Sequence, residues 1–157
     1  RPYGLPDTVR PPEAGDAALL ACANLPWNAF VVKGLLRYGY REEAADLTTR
    51  LMKAAVGSLK REAAFRRYYH AETGQGVGER NALNGLAPLG LFLEVLGVRL
   101  ISPRKVGVSG FNPFPVAVTV KYRGLTILRQ KEKTVVIFPD GQTATITDPA
   151  PQVVSCE

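Results

Sequence analysis

A fifteen-residue stretch at positions 65–79, FRRYYHAETGQGVGE, most constrains what this chain can fold into. Its glycines at positions 74, 76 and 78 oppose a helix, because each glycine in a helix interior costs about 1 kcal/mol relative to alanine. Loops of this length without periodic structure are uncommon in compact domains, and those that exist are often functional. We therefore interpret the stretch as a loop that lines a pocket.

Two helices are predicted before this stretch. Pro26 suits the first turn of the first helix, in which apolar residues recur at steps of three and four until Gly39 ends the run. These apolar positions are Trp27, Phe30, Val31, Gly34, Leu35 and Tyr38. Glu42 and Glu43 complement the positive end of a second helix. Because the link between the helices is very short, we expect an antiparallel helical hairpin over 25–60.

Residues 81–97, NALNGLAPLGLFLEVLG, predict a third helix. Because it is apolar on nearly every face, we expect it to be buried in an assembly larger than this chain. After Gly97 the pattern alternates, which predicts short antiparallel strands in a meander. These strands are Val98–Ile101, Val116–Tyr122, Leu125–Arg129, Thr134–Phe138 and Thr143–Thr147. The predicted domains are an extended lead-in over 1–24, a helical part over 25–97 and a small antiparallel β domain over 98–157.

The composition is that of an ordinary globular protein, with 46% hydrophobic and 22% charged residues. The formal net charge is +6, but the basic residues are scattered, so we expect a solvated basic surface and no nucleic-acid partner. No apolar run is long enough to span a bilayer, and the first residues lack a signal-peptide core. We therefore expect no membrane partner and a cytoplasmic location. The start at Arg1 suggests a fragment or a processed product.

The sequence offers no set of metal ligands. His70 is the only histidine, and Cys22 and Cys156 lie far apart without a metal-type spacing. The glycines of the 65–79 stretch match neither the dinucleotide fingerprint nor a phosphate-binding loop. A G-x-S-x-G elbow, which would indicate a serine hydrolase, is also missing. We therefore expect neither a metal nor a cofactor.

Four segments in succession resemble a known group of enzymes. They are PWNAF leading to GLLRYGY, then EEAADLTTRLM, YYHAETGQGVG and LNGLAPLGLFLEVLG. Over about residues 25–97 the chain is similar to the C-terminal end of α/α toroid glycosidases. Glycoside hydrolase family 63 and the mannosylglycerate hydrolase group are the families concerned, with trehalases as more distant relatives. The tail PFPVAVTVKYRGLTI resembles the small C-terminal β-sandwich of several toroid glycosidases and disaccharide phosphorylases.

This resemblance implies an α+β fold, in which C-terminal helical hairpins of a six-hairpin α/α toroid precede a small antiparallel β domain. It implies a C-terminal fragment of a glycoside hydrolase that acts on α-linked glycosides. The implied partners are a carbohydrate and the missing N-terminal part of the toroid. The helices would carry apolar faces meant for absent neighbours, and exposed patches of that kind favour association or instability.

The resemblance also concerns catalysis. Inverting glycosidases need a general acid and, roughly 6.5 to 9.5 Å away, a carboxylate that activates water. In the resembling families a glutamate of the loop supplies this base, and the corresponding position here is Arg67. Arginine stays protonated and cannot accept a proton from water. The base is either missing, taken over by Glu62, Glu72 or Glu79, or displaced by a slip in the alignment. We assign no catalytic residue and expect the isolated chain to be inactive.

The residues expected to bind the sugar follow from the same comparison. Trp27 and Tyr68 would offer apolar faces, while His70 and Glu72 would donate and accept hydrogen bonds to hydroxyl groups. Arg67 would recognise an anionic substituent such as a carboxylate. A tryptophan at a helix start, however, belongs more often to a core than to a sugar platform. The alternative is a non-catalytic interaction protein, whose helical hairpin presents an apolar surface to a partner chain with the β domain as scaffold.

Overall fold

A computed structural model describes residues 1–7 and 21–156. More than half of the lead-in predicted over 1–24 therefore lies outside the described residues. The chain divides into two units, residues 1–92 (unit 1) and residues 93–157 (unit 2). A three-stranded antiparallel sheet belongs to unit 1, and a three-stranded and a four-stranded antiparallel sheet belong to unit 2.

Unit 1 begins with a short strand and two helices. In chain order its elements are β1 (Cys22–Asn24), α1 (Leu25–Arg37), α2 (Arg41–Glu62), β2 (Arg66–His70), β3 (Gly76–Arg80) and a 3-10 helix (Leu83–Leu86). The next helix, α3 (Ala87–Leu96), crosses the boundary between the units. The sheet has the order β1-β2-β3. A single bridge from Pro6 to Ala23 places the N-terminal segment beside β1.

The two predicted helices before the 65–79 stretch are present. Pro26 lies in the first turn of α1, and the Asn24 side chain accepts a hydrogen bond from the backbone N–H of Trp27 at 3.4 Å. Acidic residues occupy the first turn of α2 and basic residues its last turn, as the helix dipole favours. Helix α2 ends where Ala63 adopts a left-handed φ of 49°. The two helices contact each other within unit 1.

The core of unit 1 lies between these helices and the sheet. Helix α1 buries Leu25, Asn28 and Val32. Helix α2 buries the residues Ala44, Ala45, Leu47, Thr48, Leu51, Ala54, Ala55 and Ser58. From β2, Tyr69 is fully buried, and its hydroxyl oxygen accepts a hydrogen bond from the backbone N–H of Arg66 at 3.0 Å. A Cβ added at Gly76 of β3 would lie 3.3 Å from Ser58 Oγ, so the sheet packs directly on α2.

The predicted toroid is wrong. A toroid packs helical hairpins against further helices, whereas here α2 packs against α1 and against an antiparallel sheet. The described residues hold three α-helices and ten strands in three antiparallel sheets. This is a small, strand-rich protein and not the end of a six-hairpin ring. The architecture therefore gives no evidence for the glycosidase classification that the resemblance implied.

Unit 2 contains the remaining seven strands. They are β4 (Val98–Ser102), β5 (Lys105–Val108), β6 (Val118–Tyr122), β7 (Leu125–Arg129), β8 (Thr134–Ile137), β9 (Thr143–Ile146) and β10 (Gln152–Ser155). One sheet has the order β10-β5-β4, and the other is the meander β6-β7-β8-β9. All five predicted strands are present, but the first of them, β4, belongs to the three-stranded sheet. Strands β5 and β10 were not predicted.

A buried arginine organises unit 2. Arg129, at the end of β7, is 1% exposed. Its Nη2 donates hydrogen bonds to the carbonyl oxygens of Ser109 (3.1 Å) and Gly110 (2.8 Å), and its Nη1 donates to Thr134 Oγ1 at 2.5 Å. It also donates to the carbonyl oxygen of Leu96 at the end of α3. These bonds join a helix end, a loop and two strands of the meander.

Candidate functional site

The stretch predicted to be a pocket loop is a β-hairpin. Strands β2 and β3 pair antiparallel, with a register shift between Arg66 and Tyr68. Gly74 adopts a φ of 68° in the connecting turn, where an added Cβ would lie 2.7 Å from the Tyr3 ring. A Cβ on Gly76 would lie 2.2 Å from Arg66 Cγ. The absence of a side chain at these glycines therefore lets the backbone lie close to other groups. These groups are side chains of the same protein, Tyr3 and Arg66.

His70 and Glu72 hold the turn of this hairpin. His70 Nδ1 accepts hydrogen bonds from the backbone N–H groups of Glu72 and Thr73, both at 3.3 Å. The Glu72 carboxylate forms an ion pair with Arg1 at 2.8 Å. The backbone N–H of Tyr3 donates to the carbonyl oxygen of Ala71 at 3.0 Å. His70 thus holds the turn itself, and Glu72 ties the turn to the N-terminal segment.

Arg67 and Tyr68 lie on the same strand and contact each other. The Arg67 guanidinium carbon lies 5.4 Å from the centroid of the Tyr68 ring, and Arg67 is exposed. Tyr68 is half-buried beside Gly78, where an added Cβ would lie 3.4 Å from its ring. Of the carboxylates considered as a displaced base, Glu62 is held by Arg66, with Arg66 Nε 2.8 Å from Glu62 Oε2.

Trp27 lines an open groove of about 400 Å³ in unit 1. The groove is lined by Leu5, Pro6, Asp7, Trp27, Asn28 and Val31. Its wall is fixed by Asn28, whose Oδ1 accepts from the Leu5 N–H at 2.8 Å and whose Nδ2 donates to the Leu5 carbonyl oxygen at 2.9 Å. The lining contains none of Arg67, Tyr68, His70 and Glu72. The structure therefore does not bring the five predicted binding residues together in this groove.

The outer face of α1 carries a row of exposed apolar residues. Trp27 is 65% exposed, Phe30 65%, Val31 43% and Tyr38 79%. Because positions three, four and seven apart share one face of a helix, Trp27, Phe30, Val31 and Gly34 form a row along α1. Tyr38, the residue that caps the C-terminal end of α1, extends this row. We call this row the aromatic stripe. The rings of Trp27 and Phe30 are 5.9 Å apart and tilted by 53°.

The sequence pattern identified these residues, but not the direction in which they point. Helix α1 is apolar on two faces, and the second face contributes Leu25 and Val32 to the core. The expectation that Trp27 belongs to a core is wrong, since this side chain is largely exposed. The signal that sequence reasoning missed is the second apolar repeat, formed by Leu25, Ala29, Val32 and Leu36.

The surroundings of the stripe carry charge of both signs. Helix α1 contains Lys33 and Arg37 and no acidic residue. These two lie three and seven positions after Phe30, so both flank the stripe on the Phe30 side. Beside Trp27 the groove contains Asp7, and burial raises the pKa of its carboxyl. Burial, followed by the Asp7 charge, also raises the pKa of the buried Cys22 thiol, which disfavours a reactive thiolate.

Known proteins add nothing to this geometry. No protein-family model matches the chain, and no curated protein or solved structure matches it. The resemblance to toroid glycosidases therefore stays a prediction, and the fold it implied is wrong. The part of the chain that the structure describes contains no cluster of three or more His, Cys, Asp or Glu side chains that could bind a metal ion. Among the described residues, no helix combines the length and apolarity that crossing a bilayer requires.

Proposed function

We propose that this chain is a non-catalytic interaction protein whose aromatic stripe binds an apolar surface of a partner protein. One observation carries the proposal: four large apolar side chains, three on one face of α1 and Tyr38 at its C-cap, are between 43% and 79% exposed. Contiguous exposed apolar patches on soluble proteins commonly mark interaction sites. Trp, Tyr and Phe are enriched where protein–protein binding energy is concentrated.

The chemistry of the stripe favours a protein partner over a sugar. Sites for small ligands combine apolar walls with a few convergent polar groups that fix orientation. Phe30 and Val31 offer no hydrogen bond, and the rings of Trp27 and Phe30 are tilted rather than coplanar. The polar residues predicted for a sugar, His70 and Glu72, are engaged in the hairpin turn. Carbohydrate is therefore the weaker proposal for the partner, supported by the exposure of Trp27.

Both units supply rigid support in this proposal. In unit 1, buried Asn28 fixes the segment beside the stripe through its hydrogen bonds to Leu5. In unit 2, buried Arg129 joins the meander to the end of α3. A scaffold role for the β unit agrees with this network. We also propose a cytoplasmic location, which buried thiols at Cys22 and Cys156 support because reducing compartments keep cysteines in that form.

A comparison of three immobilised full-length chains tests the proposal. The wild type and the matched control L83Q should capture the same protein from a lysate of the source cells, and the double variant W27Q/F30Q should lose it. Leu83 is 81% exposed in unit 1 but lies outside the stripe, so L83Q controls for the loss of exposed apolar area alone. Exposed substitutions of this kind change stability by about 0.5 kcal/mol or less. Capture of one set of proteins by all three chains contradicts the proposal.

A further inference from the structure

The groove beside Trp27 carries a negative charge. Asp7 is the one charged residue among the described residues that line it, and the others are Leu5, Pro6, Trp27, Asn28 and Val31. Because Trp27 and Asn28 lie near the N-terminal end of α1, the positive end of the helix dipole is close. This end is equivalent to roughly half an elementary charge, which the whole charge of the carboxylate outweighs. The groove therefore favours a cation.

The Asp7 carboxylate has no partner within the part of the chain that the structure describes, since no hydrogen bond and no ion pair reaches it there. Burial raises the pKa of this carboxyl, so its surroundings disfavour the charged form. Cys22 does not offset this cost, because burial and the Asp7 charge both raise the pKa of its thiol and keep it neutral. A charge that the fold itself does not stabilise is a candidate for binding a group of opposite charge.

Hydrogen bonds fix the backbone that carries this carboxylate. The Asn28 side chain binds both the N–H and the carbonyl oxygen of Leu5, at 2.8 and 2.9 Å. The backbone N–H of Asp7 itself donates to the carbonyl oxygen of Cys22 at 3.3 Å. The groove is therefore formed before any ligand binds, as is usual for binding sites. A preformed site binds with a smaller loss of conformational entropy.

The groove is open and adjoins the aromatic stripe, because Trp27 and Val31 belong to both. A protein that rests on the stripe therefore covers the mouth of the groove. Trp27 is the one aromatic residue among the described lining residues, whereas sites for free quaternary ammonium ligands are cages of several rings. A guanidinium suits one ring and one carboxylate, since it stacks on aromatic faces and binds carboxylates through its planar fork.

From the charge, the fixed position of the carboxylate and the shared residues, we infer that the groove binds an arginine side chain of the partner protein. The inference rests on the proposed function and names one group of the partner. The guanidinium pairs with Asp7, and the methylene groups of the arginine lie against the apolar walls at Leu5 and Val31, as long cationic side chains do. Arginine is enriched in protein interfaces and among the residues that dominate their binding energy.

Two small probes of the same shape test the charge preference of the groove. N-acetyl-arginine amide carries a guanidinium, and N-acetyl-citrulline amide replaces it with a neutral urea group. Trp27 is the only tryptophan of the chain, so its indole N–H gives a single NMR signal. The arginine probe should shift this signal and the Leu5 amide signal of the full chain with an affinity at least about tenfold higher than that of the citrulline probe. Equal affinities overturn the inference.

A matched pair of variants assigns the preference to Asp7. D7N keeps the shape of the side chain and removes its charge, so it should bind the two probes equally. D148N neutralises an exposed carboxylate of unit 2 and should keep the preference of the wild type. A D7N chain that still prefers the arginine probe overturns the inference. Tetramethylammonium that binds the wild type more tightly than the arginine probe identifies a free organic cation as the occupant and also overturns it.

The partner protein supplies the last comparison. The protein that the wild type captures and W27Q/F30Q loses should bind D7N at least about tenfold more weakly than D148N, because truncating one member of a buried charge pair is costly. Equal affinity for D7N and D148N overturns the inference but leaves the proposed function intact. Failure of the proposed function appears separately, as capture of the same proteins by W27Q/F30Q and the wild type.

Discussion

Arg129 donates two hydrogen bonds to the carbonyl oxygen of Leu96, from Nε at 3.1 Å and from Nη2 at 2.8 Å. Leu96 is the last residue of α3, where carbonyl groups have no partner within the helix. The guanidinium therefore completes the end of the helix from a strand 33 positions later in sequence. Within unit 2, the fold depends on this side chain.

Replacing this arginine should be costly. In R129K the planar fork is lost, and the carbonyl groups of Leu96, Ser109 and Gly110 lose donors in a buried site. Breaking such a network costs about 3 kcal/mol or more of unfolding free energy. Urea unfolding should detect the loss, with R99K on an exposed position as the matched control. Equal stabilities of the two variants would contradict the role given to Arg129.

Asn28 offers a second test, in unit 1. N28A removes the hydrogen bonds to the N–H and C=O of Leu5 and to the carbonyl oxygen of Asn24. We expect a loss of about 2 kcal/mol, because buried polar groups of the backbone are left without partners. Hydrogen exchange at the Leu5 amide should accelerate as the segment leaves α1. The control N84A, at an exposed position, should leave the exchange rate of the Leu5 amide unchanged. If this amide exchanges as slowly in N28A as in the wild type, Asn28 does not hold the N-terminal segment.

Replacing glycine with alanine should raise the stability of the protein at one position and lower it at another. G34A should stabilise the protein by about 1 kcal/mol, since the site is open and helical. G85A should destabilise it, because the new Cβ would lie 2.8 Å from Phe65 Cβ and 2.9 Å from the Arg66 carbonyl oxygen. Thermal unfolding should show a higher melting temperature for G34A and a lower one for G85A than for the wild type. A loss of stability in G34A would mean that another part of the protein packs against this position.

The Asp7 carboxyl predicts a pH dependence. Burial raises its pKa from 3.8 in the folded state, so folding favours the protonated form. This contribution to stability is fully present below the unfolded pKa and is lost as the pH rises through the folded value. D7N should therefore match the wild type in stability at acidic pH and be slightly more stable at neutral pH. Melting temperatures across this range measure the difference, and a D7N that is less stable at neutral pH would contradict the assignment.

Local patterns predicted the elements whose signals are local. The alternation in Leu125–Arg129 gave β7 with its observed bounds, and the charges at both ends of α2 marked that helix. The hairpin over 65–79 was not predicted, because its glycines were used only as an argument against a helix and the possibility of strands was not considered. Gly76 and Gly78 recur at the period of a strand, and β2 also depends on a distant partner. Ala23 pairs with Tyr69, a contact that no local window contains.

The candidate site shows the same limit. Periodicity predicted that Trp27, Phe30 and Val31 share one face of a helix, and they do. It could not show which face is buried, because α1 has apolar residues on both sides. In the structure the buried face is the one that carries Leu25, Asn28 and Val32, and Asn28 forms hydrogen bonds to Leu5 there. The sugar site stays a prediction, and four of its five residues lie outside the groove beside Trp27. Its residues were grouped by resemblance rather than by a contact that the residues themselves required.

Quenching of Trp27 fluorescence by acrylamide tests the central claim most directly. If the aromatic stripe is an open binding surface, acrylamide should quench Trp27 in the wild-type protein almost as efficiently as it quenches a tryptophan derivative in water. Addition of the protein that the wild type captures and W27Q/F30Q loses should then protect Trp27. A Trp27 that is shielded from acrylamide in the protein alone would contradict the account.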